Sequence, residues 1–294
     1  MAGSFALIRP VLGLVVALII ALGGAGAAPR PAAAALAAWD GGVNLYRRDA
    51  FTTQKTWLWC TAAGVQIIRN MVRGDDDHSR RSQARYFDWM RARNRYDLPE
   101  SAGVDPAGWT AGLRHFVDDR YRLQSHATFD RALRLAVIRI RKTNLPVALT
   151  VAHGGHGWVL HGFTATADPA RTDDFRITSV RVTGPLWGRQ NRDLGYDMRP
   201  NTKLTPAQLK RFFTPWRYPP KAMVWDGTYV SIQPVTPRRA DAAADGPSTS
   251  PTPASDAGSS GRVPIDPRTH PFIRAGWPDR PRILRFALAG PAVR

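Results

Sequence analysis

The chain has 294 residues, 44% of them hydrophobic, and carries 41 Lys and Arg against 23 Asp and Glu for a formal net charge of +18. That apolar share excludes a wholly disordered chain, and a single Cys excludes an internal disulfide framework. The basic excess points to anionic partners, but the Arg residues are spread along the chain among Asp residues. They lack the dense run or motif of a specific nucleic-acid binder.

Residues 1–38 read as a secretory signal. Arg9 precedes an apolar run from Val11 to Leu22, and the small residues Gly23 to Ala28 follow, with Ala25-Gly26-Ala27 as an A-x-A-like cleavage site. An uncleaved membrane anchor is the alternative, although the apolar run is shorter than the roughly 20 residues a spanning helix needs. The expected location is secreted or extracytoplasmic.

Residues 39–235 have the length of one domain. Trp59 to Val72 is predicted as a helix, with Ala63, Ile67, Ile68, Met71 and Val72 at helical spacing and Gly74 as its stop. Ser79 to Arg93 is a second, polar helix with a stripe of Tyr86, Phe87 and Met90. Asp105-Pro106 reads as an N-cap with Pro at the first helical position, opening a helix through Phe116. Thr128 caps another helix, to about Arg141.

The pattern then changes. Leu145 to Val151 and Trp158 to Thr164 are apolar, β-rich runs, and Phe175 to Val182 alternates apolar and polar residues. Thr205-Pro206 opens a short helix through Phe213. Met223 to Trp225 and Thr228 to Val230 flank Asp226-Gly227, a pairing that predicts a two-residue hairpin. Helices first and strands later predict an α+β fold, a helical half packed on an antiparallel sheet. Thr236 to Gly261, rich in Pro, Ala, Ser, Asp and Gly, reads as a disordered linker. Residues 262–294 form a basic tail suited to an anionic cell-wall or membrane surface.

Cys60 is an unpaired thiol in a chain expected to be exported, so it is a reactive group, an intermolecular bridge or an inert buried residue. It falls at the start of a predicted helix, where free N–H groups and the helix dipole favour an anion such as a thiolate. Trp57 and Trp59 either wall a cleft in front of it or pack in the core. Gln54, six residues earlier, carries an amide able to donate to an oxyanion beside the Cys60 backbone N–H. His156 lies at the mouth of a strand between Gly155 and Gly157, placed to bring a base from the sheet half to the helix half.

Gln54, Cys60 with the small residues Ala62 and Ala63 after it, and the segment His156-Gly157 leading through an apolar strand to Gly162-Phe163 resemble the papain-like cysteine peptidase superfamily. The likeness is nearest to its double-glycine, bacteriocin-processing peptidase-like group. It covers roughly Gly41 to Val235. The resemblance implies a helical subdomain carrying Cys60 as nucleophile, a sheet subdomain carrying His156 as base, and Gln54 in the oxyanion hole. It also implies an Asn or Asp after the next strand to orient the imidazole. Gly184-Pro185 stands where the related group often has Asp-Pro, and none of Asp168, Asp173, Asp174 and Asn191 fits the pattern. The expectation is therefore a Cys–His dyad, or a site that has lost catalysis. Thr61 replaces an aromatic residue common in relatives.

His153 and His161 flank His156, but no Asp, Glu or Cys completes a metal-ligand set, and no metal or cofactor is expected. His161 is the second candidate for the base, or a buried hydrogen-bonded histidine. The leading expectation is a monomeric thiol hydrolase acting on peptide or isopeptide bonds of a peptide or protein substrate. A transpeptidase or transglutaminase on the same site and a decayed binding module are the alternatives.

Overall fold

The computed structural model describes residues 38–189, 197–217 and 223–236. The expected signal segment, the linker beyond residue 236, the basic tail and Asn191 lie outside the described residues.

The described residues include five α-helices, four of which start at a side-chain cap. Helix α1 spans Cys60–Arg73, α2 Arg80–Arg91, α3 Pro106–Phe116, α4 Phe129–Thr143 and α5 Pro206–Lys210. Ser79, Asp105, Thr128 and Thr205 each accept a hydrogen bond from a backbone N–H three residues on, which satisfies donors the first turn leaves free. Gly74 closes α1 in the left-handed conformation, φ 76°.

The strands are β1 (Gly42–Asn44), β2 (Tyr121–His126), β3 (Val147–Val151), β4 (His156–Ala165), β5 (Ile177–Thr183), β6 (Thr202–Leu204) and β7 (Tyr229–Pro234). They form one sheet in the order β2-β7-β3-β4-β5-β6, and every pairing is antiparallel. β3 pairs with the first half of β4, and β1 pairs with the second half.

Side chains of neighbouring strand residues point to opposite faces. Ala148, Val159 and Ile232 pack with the helices α1, α2 and α3. Val147, Leu149, Val151, Trp158 and Leu160 pack with α4 and α5 on the other side. Both faces of β3 are thus covered, which accounts for its unbroken apolar run. Ile67 and Ile68 on α1 are 0% exposed. Burying each contributes roughly 1.5–3 kcal/mol, which anchors the helix that begins with Cys60.

Two expectations are corrected. Asp226-Gly227 does not turn a hairpin: residues 223–228 make successive turns, with Gly227 N–H bound to the Trp216 carbonyl (2.9 Å). Met223 and Trp225 are buried beside Tyr96, Trp216 and Val230, and β7 finds its partners in β2 and β3 instead. Tertiary packing outweighs the local turn preference there. α5 stops at Lys210 rather than Phe213, and Phe212 and Phe213 turn into the core. Strands β1, β2 and β6 carry too little apolar alternation to be predicted.

Candidate active site

Cys60 is the first residue of α1. The residue before it, Trp59, offers no side-chain cap, and the first helical bond runs from Ala63 N–H to the Trp59 carbonyl (2.8 Å). The N–H groups of Cys60, Thr61 and Ala62 therefore have no acceptor within the helix, and they make the helix start a favourable place for an anion. The thiol is free and partly exposed.

His156 is the first residue of β4, paired with Val151 of β3. The connection between them is strained. Ala152 and His153 have φ of 51° and 56°, and Gly154 has φ of 89°. A left-handed conformation costs a residue with a side chain roughly 1–2 kcal/mol. The segment around residues 212–217 offsets this: Ala152 N–H donates to the Phe212 carbonyl (2.9 Å), and His153 N–H donates to Thr214 Oγ1 (2.9 Å). His153 Nδ1 donates to the Pro215 carbonyl (3.0 Å), and Arg217 N–H donates to the His153 carbonyl (3.0 Å). Gly154 lies on Trp216, so a Cβ there would meet its ring at 2.4 Å. The clamp fixes where β4 begins and so where His156 points.

The His156 imidazole is held between two groups. Its Nε2 donates to Asp197 Oδ2 (2.9 Å), and the Cys60 side chain is within hydrogen-bonding reach of the ring. Asp197 accepts two further hydrogen bonds, from Trp158 Nε1 to Oδ1 (2.6 Å) and from Leu186 N–H to Oδ2 (2.7 Å). The side chains of His156 and Asp197 are 7% and 0% exposed. Burial opposes the imidazolium, but the charge and hydrogen bond of Asp197, with those of Cys60, outweigh it and raise the His156 pKa from 6.5 to about 10.

Asp197 corrects the expectation of a dyad, because the far nitrogen of the imidazole does have a carboxylate. Sequence reasoning sought it just after β5, where Gly184 and Pro185 stand. The side chain reaches that place from a later segment, and a Cβ on residue 184 would lie 2.2 Å from the Asp197 Cγ. A glycine where an acid is expected was the available signal: it leaves room for a carboxylate arriving from elsewhere. Of the acids weighed on sequence, Asp168 forms a buried bidentate pair with Arg141 (2.9 and 2.8 Å). Asp173 and Asp174 are exposed.

Gln54 is 1% exposed and stands at the edge of the site. Its backbone N–H donates to the Pro185 carbonyl (2.8 Å), which ties it to the Gly184 loop. Its Nε2 donates to the carbonyls of Thr56 (2.8 Å) and Trp57 (3.2 Å), and its Oε1 is buried without a partner. In this conformation the amide shapes the turn that delivers Cys60 and directs no free N–H at a substrate. Trp57 and Trp59 are half-buried. The Arg189 guanidinium lies over the Trp57 ring (4.7 Å), the Arg80 guanidinium lies over Trp59 (5.2 Å), and Trp59 packs on Phe87.

His161 is not brought to Cys60. It is 0% exposed, bonded to Thr183 Oγ1 (3.0 Å) and packed on Tyr46. Burial pushes its pKa down to about 3, so it is a neutral core residue at ordinary pH. His78 pairs with Asp76, and His115 stacks on Trp89. Among the described residues no group of His, Cys, Asp and Glu is placed to hold a metal ion. Comparison with known proteins finds no match to a family model, a curated protein or a solved structure.

Proposed function

We propose that the chain is a papain-like thiol hydrolase that cleaves peptide or isopeptide bonds. The observation that carries this reading is the array of Cys60, His156 and Asp197: a partly exposed thiol at a helix start, an imidazole between thiol and carboxylate, and a buried acid on the far ring nitrogen. A nucleophile, a base and an orienting group in that sequence are the parts acyl transfer needs.

His156 takes the Cys60 proton, and the Asp197 carboxylate stabilises the resulting imidazolium. The sulfur attacks the carbonyl carbon, and the oxyanion is received by the Cys60 N–H in the uncapped first turn of α1. Gln54 adds a second donor once substrate releases one of its N–H groups from the Thr56–Trp57 turn. The tetrahedral species collapses, the C–N bond breaks, and the imidazolium proton passes to the leaving amine. Water, deprotonated by His156, then hydrolyses the acyl-thioester and restores the thiol.

The case for a decayed binding module rested on a missing orienting residue, and Asp197 removes that reason. The signal pattern in residues 1–38 supports an extracytoplasmic setting for the proposed activity. The test is digestion of a mixed peptide pool by the full chain, read by mass spectrometry. Wild type is expected to generate new termini, and Cys60→Ala none. Full turnover by Cys60→Ala would contradict the proposal.

A further inference from the structure

Two guanidinium groups meet on one backbone oxygen beside the candidate nucleophile. Arg80 Nη1 donates to the Lys55 carbonyl at 3.1 Å, and Arg189 Nη1 donates to the same oxygen at 2.9 Å. Each guanidinium also lies over a tryptophan of the segment that leads into Cys60, Arg189 over Trp57 and Arg80 over Trp59. Among the described residues, no carboxylate pairs with Lys55, Arg80 or Arg189. The Nε of Arg189 is buried without any hydrogen-bond partner.

The position is built from beneath. Lys55 N–H donates to Gln83 Oε1 (2.9 Å), and Gln83, which is 0% exposed, donates in turn to the Thr53 carbonyl (3.1 Å) and to Gln66 Oε1 (2.8 Å). The peptide of residue 55 is therefore fixed on both sides. Like charges drawn together without a counter-ion repel, and the arrangement is relieved when an anion binds between them. Planar guanidinium groups with unused N–H donors suit a carboxylate above other anions of a peptide. Gln54, next to Lys55, is bound to the loop that carries Gly184, and the two guanidinium groups cover the segment that runs from there into Cys60.

We propose that Arg80 and Arg189 form a subsite for a carboxylate side chain of the substrate, so that the site takes acidic peptides. This rests on the thiol-hydrolase reading of the same site, and the experiment separates the two.

The full chain is labelled with iodoacetate and with iodoacetamide, and the rate ratio is taken. In both reactions the Cys60 sulfur forms a bond to carbon and iodide leaves, and only the charge of the reagent differs. The His156 imidazolium favours iodoacetate in every variant, so the change between variants is the readout. The ratio is expected to fall about tenfold in Arg80→Gln/Arg189→Gln, and to stay near the wild-type value in Arg80→Lys/Arg189→Lys. A hexapeptide of Glu and Asp is expected to protect Cys60 from iodoacetamide at a concentration at least about tenfold lower than its Gln and Asn counterpart does, in wild type but not in the Gln variant. An unchanged ratio in the Gln variant, equal protection by both peptides, or protection by free glutamate at the peptide's concentration would overturn the assignment. Labelling of Cys60 by iodoacetamide no faster than a free cysteine would instead overturn the hydrolase reading, and the ratio would still report on the subsite.

Discussion

The carboxylate of Asp197 lies against the bare α-carbon of Gly184, so close that a Cβ on residue 184 would come within 2.2 Å of Asp197 Cγ and Oδ2. The acid that orients His156 and the glycine that admits it are thirteen positions apart in sequence and in contact in space. Neither has its role without the other.

Gly184→Ala is therefore expected to push Asp197 off the imidazole. Overpacking of this kind costs about 1–3 kcal/mol, visible as a lower melting temperature. Hydrolysis should fall by more than tenfold, since a displaced acid no longer fixes the ring. Retention of wild-type activity by Gly184→Ala would show that the Asp197 contact is dispensable.

Asp197→Ala removes the acceptor for three donors at once, the His156 ring, the Trp158 indole and the Leu186 N–H. Breaking a buried charged pair by deleting one partner costs about 3–5 kcal/mol. The rate of hydrolysis is expected to drop by a factor of roughly 10² to 10⁴, the range supplied by a well-held base. Steady-state kinetics and denaturant titration of the same protein give both numbers.

Trp158→Phe keeps a ring in place of the indole, which packs on Phe212, but deletes the N–H that holds Asp197 Oδ1. Trp158 acts through Asp197, so the change should appear in the pH profile as well as in the rate. The alkaline limb of kcat/KM, set by His156 near its value of about 10, is expected to move, with a loss of about tenfold at neutral pH. A rate loss with an unmoved limb would reduce Trp158 to packing.

The two buried histidines of β4 make stability depend on pH in opposite senses. His156 is raised from 6.5 to about 10, so its contribution is whole below 6.5 and is lost as the pH climbs through 10. His161 is depressed to about 3 by burial, so its contribution is whole above 6.5 and is lost as the pH falls through 3. The melting temperature is expected to be highest near neutrality. Asp197→Asn should flatten the alkaline decline, and His161→Gln the acid one, in a calorimetric series from pH 4 to pH 10.

Much of this arrangement was legible in the sequence because it is encoded locally. Asp105-Pro106 and Thr128 announce their helices through their own side chains, and Thr205-Pro206 announces a start though not the end. Cys60 and His156 stand out because a helix start and a Gly-flanked strand start are short-range patterns. Asp197 was hidden because it belongs to neither a helix nor a strand and meets His156 only through the folded chain. Strand β2 was missed for a similar reason. Its Arg122, Gln124, Ser125 and His126 are polar, and its extension follows from pairing with β7. The Asp226-Gly227 hairpin failed because Met223 and Trp225 gain more by burial than a local turn would provide.

The most direct test of the Cys60–His156 pairing is the rate of iodoacetamide labelling of Cys60 at pH 6, in wild type and in His156→Ala. An ordinary thiol is almost wholly protonated there and reacts slowly. A sulfur that has passed its proton to His156 is expected to react roughly 100-fold faster than the same sulfur in His156→Ala. Equal rates in the two proteins would contradict the pairing and the chemistry built on it.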